Sequence, residues 1–416
     1  FTNLWYYFIV EGECMKKKND YRGFNLAWVL GIVVVTSIIS ALTTGVIVYN
    51  NNRLSYDLTY GDLAKDENLN EFLSVYANIL SSYYEDVDTG QLLDKAIAGM
   101  MDYLGDDYST YLDDETTAEL IDTLSGEYTG IGVSINNSDK SIVEVFEDTP
   151  ASKAGIQVGD IIIGYNNNDV TSLSATEVVN MIKNSSGNFT LKLQRGSEVI
   201  SVTLKNETLI APNVDYYMIE NTTTGYLYME TFSNTLATQV EKALTKLEDE
   251  GMTSLIIDLR NNTGGYLTAA TDVASIFLEK GSRIYSLNYQ NEITNYNDET
   301  REHKEYNIVV LINENTASAA VILTAALKES YGATIVGETS FGKGKVQQTM
   351  PLDDGSMVKY TSALWLTPSG TCIDEIGINP DYYVKNEQVT DENGTITSII
   401  DTQLNKAIEL LGGITN

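Results

Sequence analysis

Residues 309–320 read Val309-Val310-Leu311-Ile312-Asn313-Glu314-Asn315-Thr316-Ala317-Ser318-Ala319-Ala320. An apolar run, a polar turn and then small residues spell a buried strand that passes through a loop into a helix. A serine at that helix opening places a hydroxyl beside a free backbone amide, at the positive end of the helix dipole. Taken alone, a serine in this position is more often a helix cap than a nucleophile. The alternation extends to both sides. Strands at 255–259 and 308–312 intersperse with helical stretches at 237–250 and 317–330, so the chain beyond residue 211 reads as an α/β domain.

A second strand end in this domain has the same texture: Leu255-Ile256-Ile257-Asp258-Leu259-Arg260-Asn261-Asn262-Thr263-Gly264-Gly265. Paired glycines after a buried strand leave amides free to face an anion, as an oxyanion hole requires, though they also suit a plain tight turn. Downstream, Gly337-Glu338-Thr339-Ser340-Phe341-Gly342-Lys343-Gly344-Lys345-Val346-Gln347 sets a lysine between glycines. A lysine drawn into a desolvated pocket loses its proton more easily and can serve as a base. The alternative is a solvated basic turn, and the residues themselves do not choose between Lys343 and Lys345.

Upstream, from Gly126 to about residue 206, short β-branched runs alternate with glycine and asparagine turns, the texture of a small β-rich module. Residues 66–125 carry apolar side chains at helical spacing and read as a helical region. Further towards the amino end, no charged residue occurs between Arg22 and Arg53, and residues 26–49 are long enough to cross a bilayer core of roughly 30 Å. The basic segment 15–25, with Lys16, Lys17, Lys18 and Arg22, is expected on the cytoplasmic side, which sends everything after residue 49 across the membrane. A cleavable signal peptide is the competing reading of 26–49, with a shorter apolar core and a small-residue cleavage site. Met15 reads as a natural start and 1–14 as a non-native upstream segment.

Composition narrows the chemistry. The 416 residues suggest two or three domains, since cores stop growing near roughly 250 residues. A formal net charge of -32 repels phosphate backbones and argues against nucleic-acid partners. Two cysteines, Cys14 and Cys372, build neither a disulfide framework nor a cysteine-rich zinc site. The single histidine, His303, lies in a polar, charged stretch that reads as a surface loop. Without it at the site, neither a Ser-His-Asp triad nor a His-His zinc centre is available, and a hydrolase needs another base.

Together DLRNNTGG, NENTASA, GETSFGKGKVQ and LTPSGTCIDEIGINPD occur in the order and spacing of the carboxyl-terminal processing, or tail-specific, serine peptidases, and the resemblance covers roughly residues 68–381. It implies Ser318 as nucleophile, Lys343 rather than Lys345 as general base, Gln347 as the residue that orients the lysine, and the amides of Gly265 and Ala319 as oxyanion donors. Departures are Thr263 in place of the usual proline and Ala320-Val321 where serine and glutamate are common. Tyr128-Thr129-Gly130-Ile131-Gly132-Val133 resembles the carboxylate-binding loop of PDZ domains, and Ala154-Gly155-Ile156-Gln157-Val158-Gly159-Asp160 is a second such signature. The expected architecture is therefore multidomain, mixing α+β and α/β parts: a transmembrane helix and helical stalk, a PDZ-like domain at 126–206, a crotonase-like α/β peptidase core at 207–385, and a helical segment at 386–416. The expected activity is extracytoplasmic hydrolysis of proteins whose apolar carboxyl-terminal tails bind at Gly130, Ile131, Gly132 and Val133, with Arg195 as a relay to the core. No cofactor is called for, and a homodimer is an expected assembly. The competing class is a catalytically silent, membrane-anchored PDZ scaffold.

Overall fold

The structure, a computed structural model, describes residues 65–390 and 396–413. The expected span 26–49 lies outside these residues, and among the described residues no helix is long and apolar enough to cross a membrane. The described residues up to Leu92 belong to one compact unit and those from Leu93 onward to a second. In the first, helix α1 (Glu67–Ser82) starts at Asp66, whose carboxylate accepts the amides of Asn68 and Leu69. Helix α2 (Thr89–Tyr103) follows it in sequence.

Beyond α2 the second unit continues with strand β1 (Thr110–Leu112) and helix α3 (Asp114–Ser125). β1 corrects the expectation of a purely helical region. Its pairing partner lies some 250 residues downstream, so no local periodicity could announce it.

The β-rich module runs from β2 (Glu127–Gly130) through β3 (Val133–Ile135), β4 (Ile142–Val145), the short helix α4 (Pro150–Lys153), β5 (Ile161–Tyr165), β6 (Asn168–Asp169), α5 (Ala175–Lys183), β7 (Phe189–Arg195) and β8 (Glu198–Leu204) to β9 (Glu207–Ile210). Its sheet has the order β6-β5-β7-β8, with β3 paired to β4 and β2 to β9. Ile131, Ile142, Ile162, Val178, Phe189, Leu191 and Leu193 form its core.

The α/β core is built from β10 (Val214–Met218), β11 (Thr224–Met229), α6 (Leu236–Asp249), β12 (Ser254–Asp258), α7 (Leu267–Phe277), β13 (Arg283–Tyr289), β14 (Glu292–Asn297), β15 (Asn307–Ile312), α8 (Ala319–Ala326), β16 (Thr334–Gly337), β17 (Lys345–Pro351), β18 (Met357–Leu366) and β19 (Tyr382–Tyr383). The main sheet has the order β10-β11-β12-β15-β16-β19 and is parallel from β11 onward. Both faces of its central strands are covered, which explains their unbroken apolar runs. Leu255, Ile257, Ile308, Val310 and Ile312 pack with α6, α7 and α8, while Ile256, Val309 and Leu311 on the opposite face meet Ala407 and Leu404 of α9 (Thr402–Leu410). A second sheet joins β1, β18, β13 and β14, with β17 added alongside β18. Before α9 the chain forms the hairpin β20 (Glu387–Thr390) and β21 (Ile396–Ile400), an element absent from the expected helical tail.

Candidate active site

Strand ends β12 and β15 deliver the two sequence-selected loops side by side. Thr316, fully buried, donates its hydroxyl to the carbonyl of Leu259 at 2.8 Å, and Ala317 donates its amide to the carbonyl of Asn262 at 3.0 Å. Asn313 and Asn261 complete the lacing: Asn313 Oδ1 accepts the Asn261 amide at 2.9 Å, and Asn313 Nδ2 donates to Asn261 Oδ1 at 2.8 Å. The loop that carries the lysines joins from β16, where Phe341 donates its amide to the carbonyl of Thr316 at 3.0 Å.

Ser318 stands at the turn from this lacework into α8, with φ 54° and ψ -123°. A non-glycine residue in this region stores strain of order 1–3 kcal/mol and persists only where the surroundings hold it. A Cβ placed on Gly264 would come within 2.8 Å of Ser318 Cβ and 2.9 Å of the Ala319 nitrogen, so only glycine lets the two backbones approach this closely. Gly264 commits its own amide to Asn262 Oδ1 at 2.8 Å. The amides of Gly265 and Ala319 donate to no acceptor among the described residues. Ala320 and Val321, which depart from the resemblance, are fully buried in the apolar packing of α8.

The structure gives the two lysines different surroundings. Lys343 is gripped through its backbone: Trp365 Nε1 donates to its carbonyl at 3.0 Å, and the flanking Gly344 donates to Asp374 Oδ1 at 2.9 Å. Its Nζ lies 4.4 Å from the centre of the Tyr108 ring. Burial first, and then the charge of Lys359, pull the Lys343 pKa below the ordinary lysine value, against the opposing pull of Asp106. Lys345 is the reverse: its Nζ is 3.1 Å from Asp106 Oδ1, and that hydrogen bond raises its pKa. Gln347 directs its Nε2 to the Lys345 carbonyl at 3.2 Å and to Thr361 Oγ1 at 3.3 Å. Among the described residues no hydrogen bond joins Lys343 Nζ to Ser318 Oγ or to Gln347.

Asp106, Tyr108 and Thr361 escaped the sequence reading. The only local signal was the break in helical spacing at Gly105-Asp106-Asp107.

In the β-rich module Gly130, Ile131, Gly132 and Val133 line a cavity of about 250 Å³ together with Ile135, Ile162, Val179 and Ile182. The carbonyls of Ile131 and Gly132 turn inward, to the amides of Ala151 and Phe146, whereas their own amides donate to no acceptor among the described residues. Arg195 binds Asp160 through Nε and Nη2, each at 2.7 Å, and the Gly155 carbonyl at 2.8 Å. These bonds stay within the module, so they give the expected relay no physical route to the core. The module's root does reach the core: Gly126 accepts from the Ala211 amide and the Thr235 hydroxyl.

His303 pairs its Nε2 with Glu305 at 3.1 Å on a separate cavity of about 770 Å³ that neither Ser318 nor Lys343 lines.

Residues 223–384 match the model for peptidase family S41, residues 119–194 that for the PDZ domain, and residues 47–116 that for the N-terminal domain of the activating protease CtpB. A probable CtpA-like serine protease of Staphylococcus epidermidis is 33% identical over 359 residues, 85% of this chain and 71% of that protein. The carboxy-terminal processing protease CtpA of Bacillus subtilis is 36% identical over 354 residues, 84% of this chain and 75% of that one. Among solved structures, the photosystem II D1 C-terminal processing protease aligns with a TM-score of 0.46 at 25% identity, over 80% of this chain and 91% of the other.

Proposed function

Because the chain belongs to peptidase family S41 and is a serine peptidase of the carboxy-terminal processing kind, we propose that Ser318 and Lys343 form its catalytic dyad. The observation that carries this reading is the pairing of a half-desolvated lysine with a strained serine, on loops tied by the bond from Phe341 to Thr316. Lys343 leaves the face of Tyr108 and accepts the Ser318 proton as Oγ bonds to the scissile carbonyl carbon. The amides of Gly265 and Ala319 receive the oxyanion. Lys343 then returns the proton to the departing amine as the C–N bond breaks, and water releases the acyl group from Ser318 by the same route. Gln347 acts in support, holding the β17 backbone beside the base.

The substrate is a protein whose apolar tail adds to the β-rich module, its terminal carboxylate received by the amides of Ile131 and Gly132 and its last side chain by the cavity of Ile135, Ile162 and Val179. Residues 26–49 anchor the chain, with the catalytic part extracytoplasmic, and exposed apolar side chains of α1 such as Phe72 and Leu73 suit contact with a second copy. The decisive experiment incubates the full chain with an unfolded reporter ending in an apolar tail and analyses the quenched enzyme by mass spectrometry. An acyl adduct on the Ser318 peptide, with activity lost in Ser318→Ala and Lys343→Ala but kept in His303→Ala, supports the dyad; loss in the histidine variant with its fold intact overturns it.

A further inference from the structure

The loop that follows α2 carries a carboxylate no sequence motif assigns. Asp106 Oδ2 accepts the hydroxyls of Ser109 and Thr361, both at 2.6 Å, and Oδ1 takes Lys345 Nζ at 3.1 Å. Thr361 in turn accepts Gln347 Nε2 at 3.3 Å and donates its own amide to Ser109 Oγ at 3.0 Å. Two residues on from Asp106, the Tyr108 ring receives Lys343 Nζ at 4.4 Å and Lys345 Nζ at 5.5 Å. Two lysine side chains thus converge on one aromatic ring, and among the described residues only Lys345 has a carboxylate partner.

We propose that Asp106 is a positioning residue of the catalytic centre, which by binding Lys345 and Thr361 fixes which of the two lysines over Tyr108 acts as the base. This deepens the Ser318–Lys343 reading and rests on it. Lys345, paired, keeps its proton and stays on Asp106, so its ammonium is withdrawn from competition for the serine. Lys343, half-buried and without a carboxylate partner among the described residues, is the one whose proton is released more easily than that of an ordinary lysine. Burial tends to raise the Asp106 pKa, yet hydrogen bonds from Ser109, Thr361 and Lys345 outweigh it and hold the carboxyl at about 2, so the anion is present throughout the working range. The charged and titratable groups around Lys343 are Asp106, Asp107 and Tyr108 of this loop, Lys345 of β17, Lys359 of β18, and Asp374 of the segment beyond β18.

Two variants of the full chain predict pH–rate shifts of opposite sign. Asp106→Asn removes an anion that favours protonated Lys343, so the acid limb of kcat moves to lower pH. Lys345→Met removes a cation and leaves Asp106 free to act on Lys343, so the limb moves to higher pH. In both, the plateau kcat for a tailed reporter falls about tenfold or more, as expected for one lost charged hydrogen bond, while KM changes little. A structural role alone would lower melting temperature and rate without opposite shifts of the limb. Limbs that stay in place, or move together, overturn the proposal. Should Asp106→Asn fail to fold, the upward shift in Lys345→Met decides alone. Lys343→Ala run in the same assay keeps the two readings apart: retained activity there rejects the dyad, whereas inactive Lys343→Ala with unmoved limbs rejects only the role of Asp106.

Discussion

Phe341 gives its amide to the carbonyl of Thr316 at 3.0 Å, binding the lysine loop to the serine loop two residues before each reactive side chain. Thr316 also donates its hydroxyl to Leu259 and accepts the Asn313 amide at 3.0 Å, so a single buried residue connects all three loops of the site. Thr316→Val keeps the shape and removes both hydroxyl bonds, leaving the Asn313 amide without its acceptor and the Leu259 carbonyl with only the Asn262 amide at 3.2 Å. The expected cost is about 1–3 kcal/mol in urea denaturation. Peptidase activity should fall further than the folded fraction does, because the Ser318 turn loses its support, and Thr316→Ser should restore both. Wild-type activity in a destabilised Thr316→Val protein would count against this reading of the turn.

Lys343 carries a second, opposite expectation for stability. Its folded pKa lies below the unfolded lysine value, chiefly through burial, so folding at neutral pH works against its charged form. The unfolded chain binds more protons between the two pKa values, and stability rises with pH across that window. Lys343→Met should therefore be inactive yet at least as stable as the parent near neutrality. The difference should be largest below the folded pKa and disappear as pH rises past the ordinary lysine value. Melting curves from pH 6 to 11 test this, and a methionine variant that is less stable throughout would refute it.

What the sequence disclosed and what it hid differ by range. Strand β15, the Ser318 turn and the glycine-flanked lysine are each encoded within a dozen residues, so apolar runs and small-residue loops reveal them directly. The module's Gly130-Ile131-Gly132 turn is equally local. Asp106 meets Lys345 across 239 residues, and β1 pairs with β18 across a similar span; such partners leave no periodic trace. The resemblance picks Lys343 over Lys345, but the residues themselves do not, since their physical difference depends on which of them finds that distant carboxylate. Arg195 misled because a strand-end arginine looks available until its partner, Asp160, appears in space.

Gly132 offers a test of tail capture independent of chemistry. It adopts φ 83°, and a Cβ there would overlap the side chain of Thr149. That threonine donates to the Phe146 carbonyl at 2.8 Å and caps α4, so it has little freedom to retreat. Gly132→Ala should distort the loop whose amides face outward. Fluorescence anisotropy with a peptide ending in an apolar residue should show binding lost in the variant. In the parent, the same peptide with an amidated terminus should bind weakly. Equal binding of acid and amide peptides would remove the carboxylate from the recognition scheme.

Arg260 closes the other side of the DLRNN strand end. Its guanidinium bonds the nearly fully buried Asp258 through Nε and Nη2 and reaches Asp401 Oδ1 at 2.7 Å and Gln403 Oε1 at 3.1 Å through Nη1. Asp401 also caps α9 by accepting the Leu404 amide at 2.9 Å. One arginine thus ties the main sheet to the helix that covers its second face. Burial, followed by the charge of Asp258 and its hydrogen bond, raises the Tyr226 pKa, so this hydroxyl keeps its proton and donates it to Asp258 at 2.6 Å. Two neutral donors, the Tyr226 hydroxyl and the backbone amide of residue 260 at 2.9 Å, do not replace the cation: Arg260→Met leaves a buried carboxylate without a countercharge, at a cost of about 3–5 kcal/mol. Hydrogen exchange should then show early loss of protection in α9 and in β15 beneath it. Adding Asp258→Asn to Arg260→Met removes the stranded charge and should recover a large part of the loss, because what destabilises the single variant is the unpaired anion more than the missing contact. If the double variant is less stable than the single one, the network stabilises through its bonds to Asp401 and Gln403 and the charge argument fails.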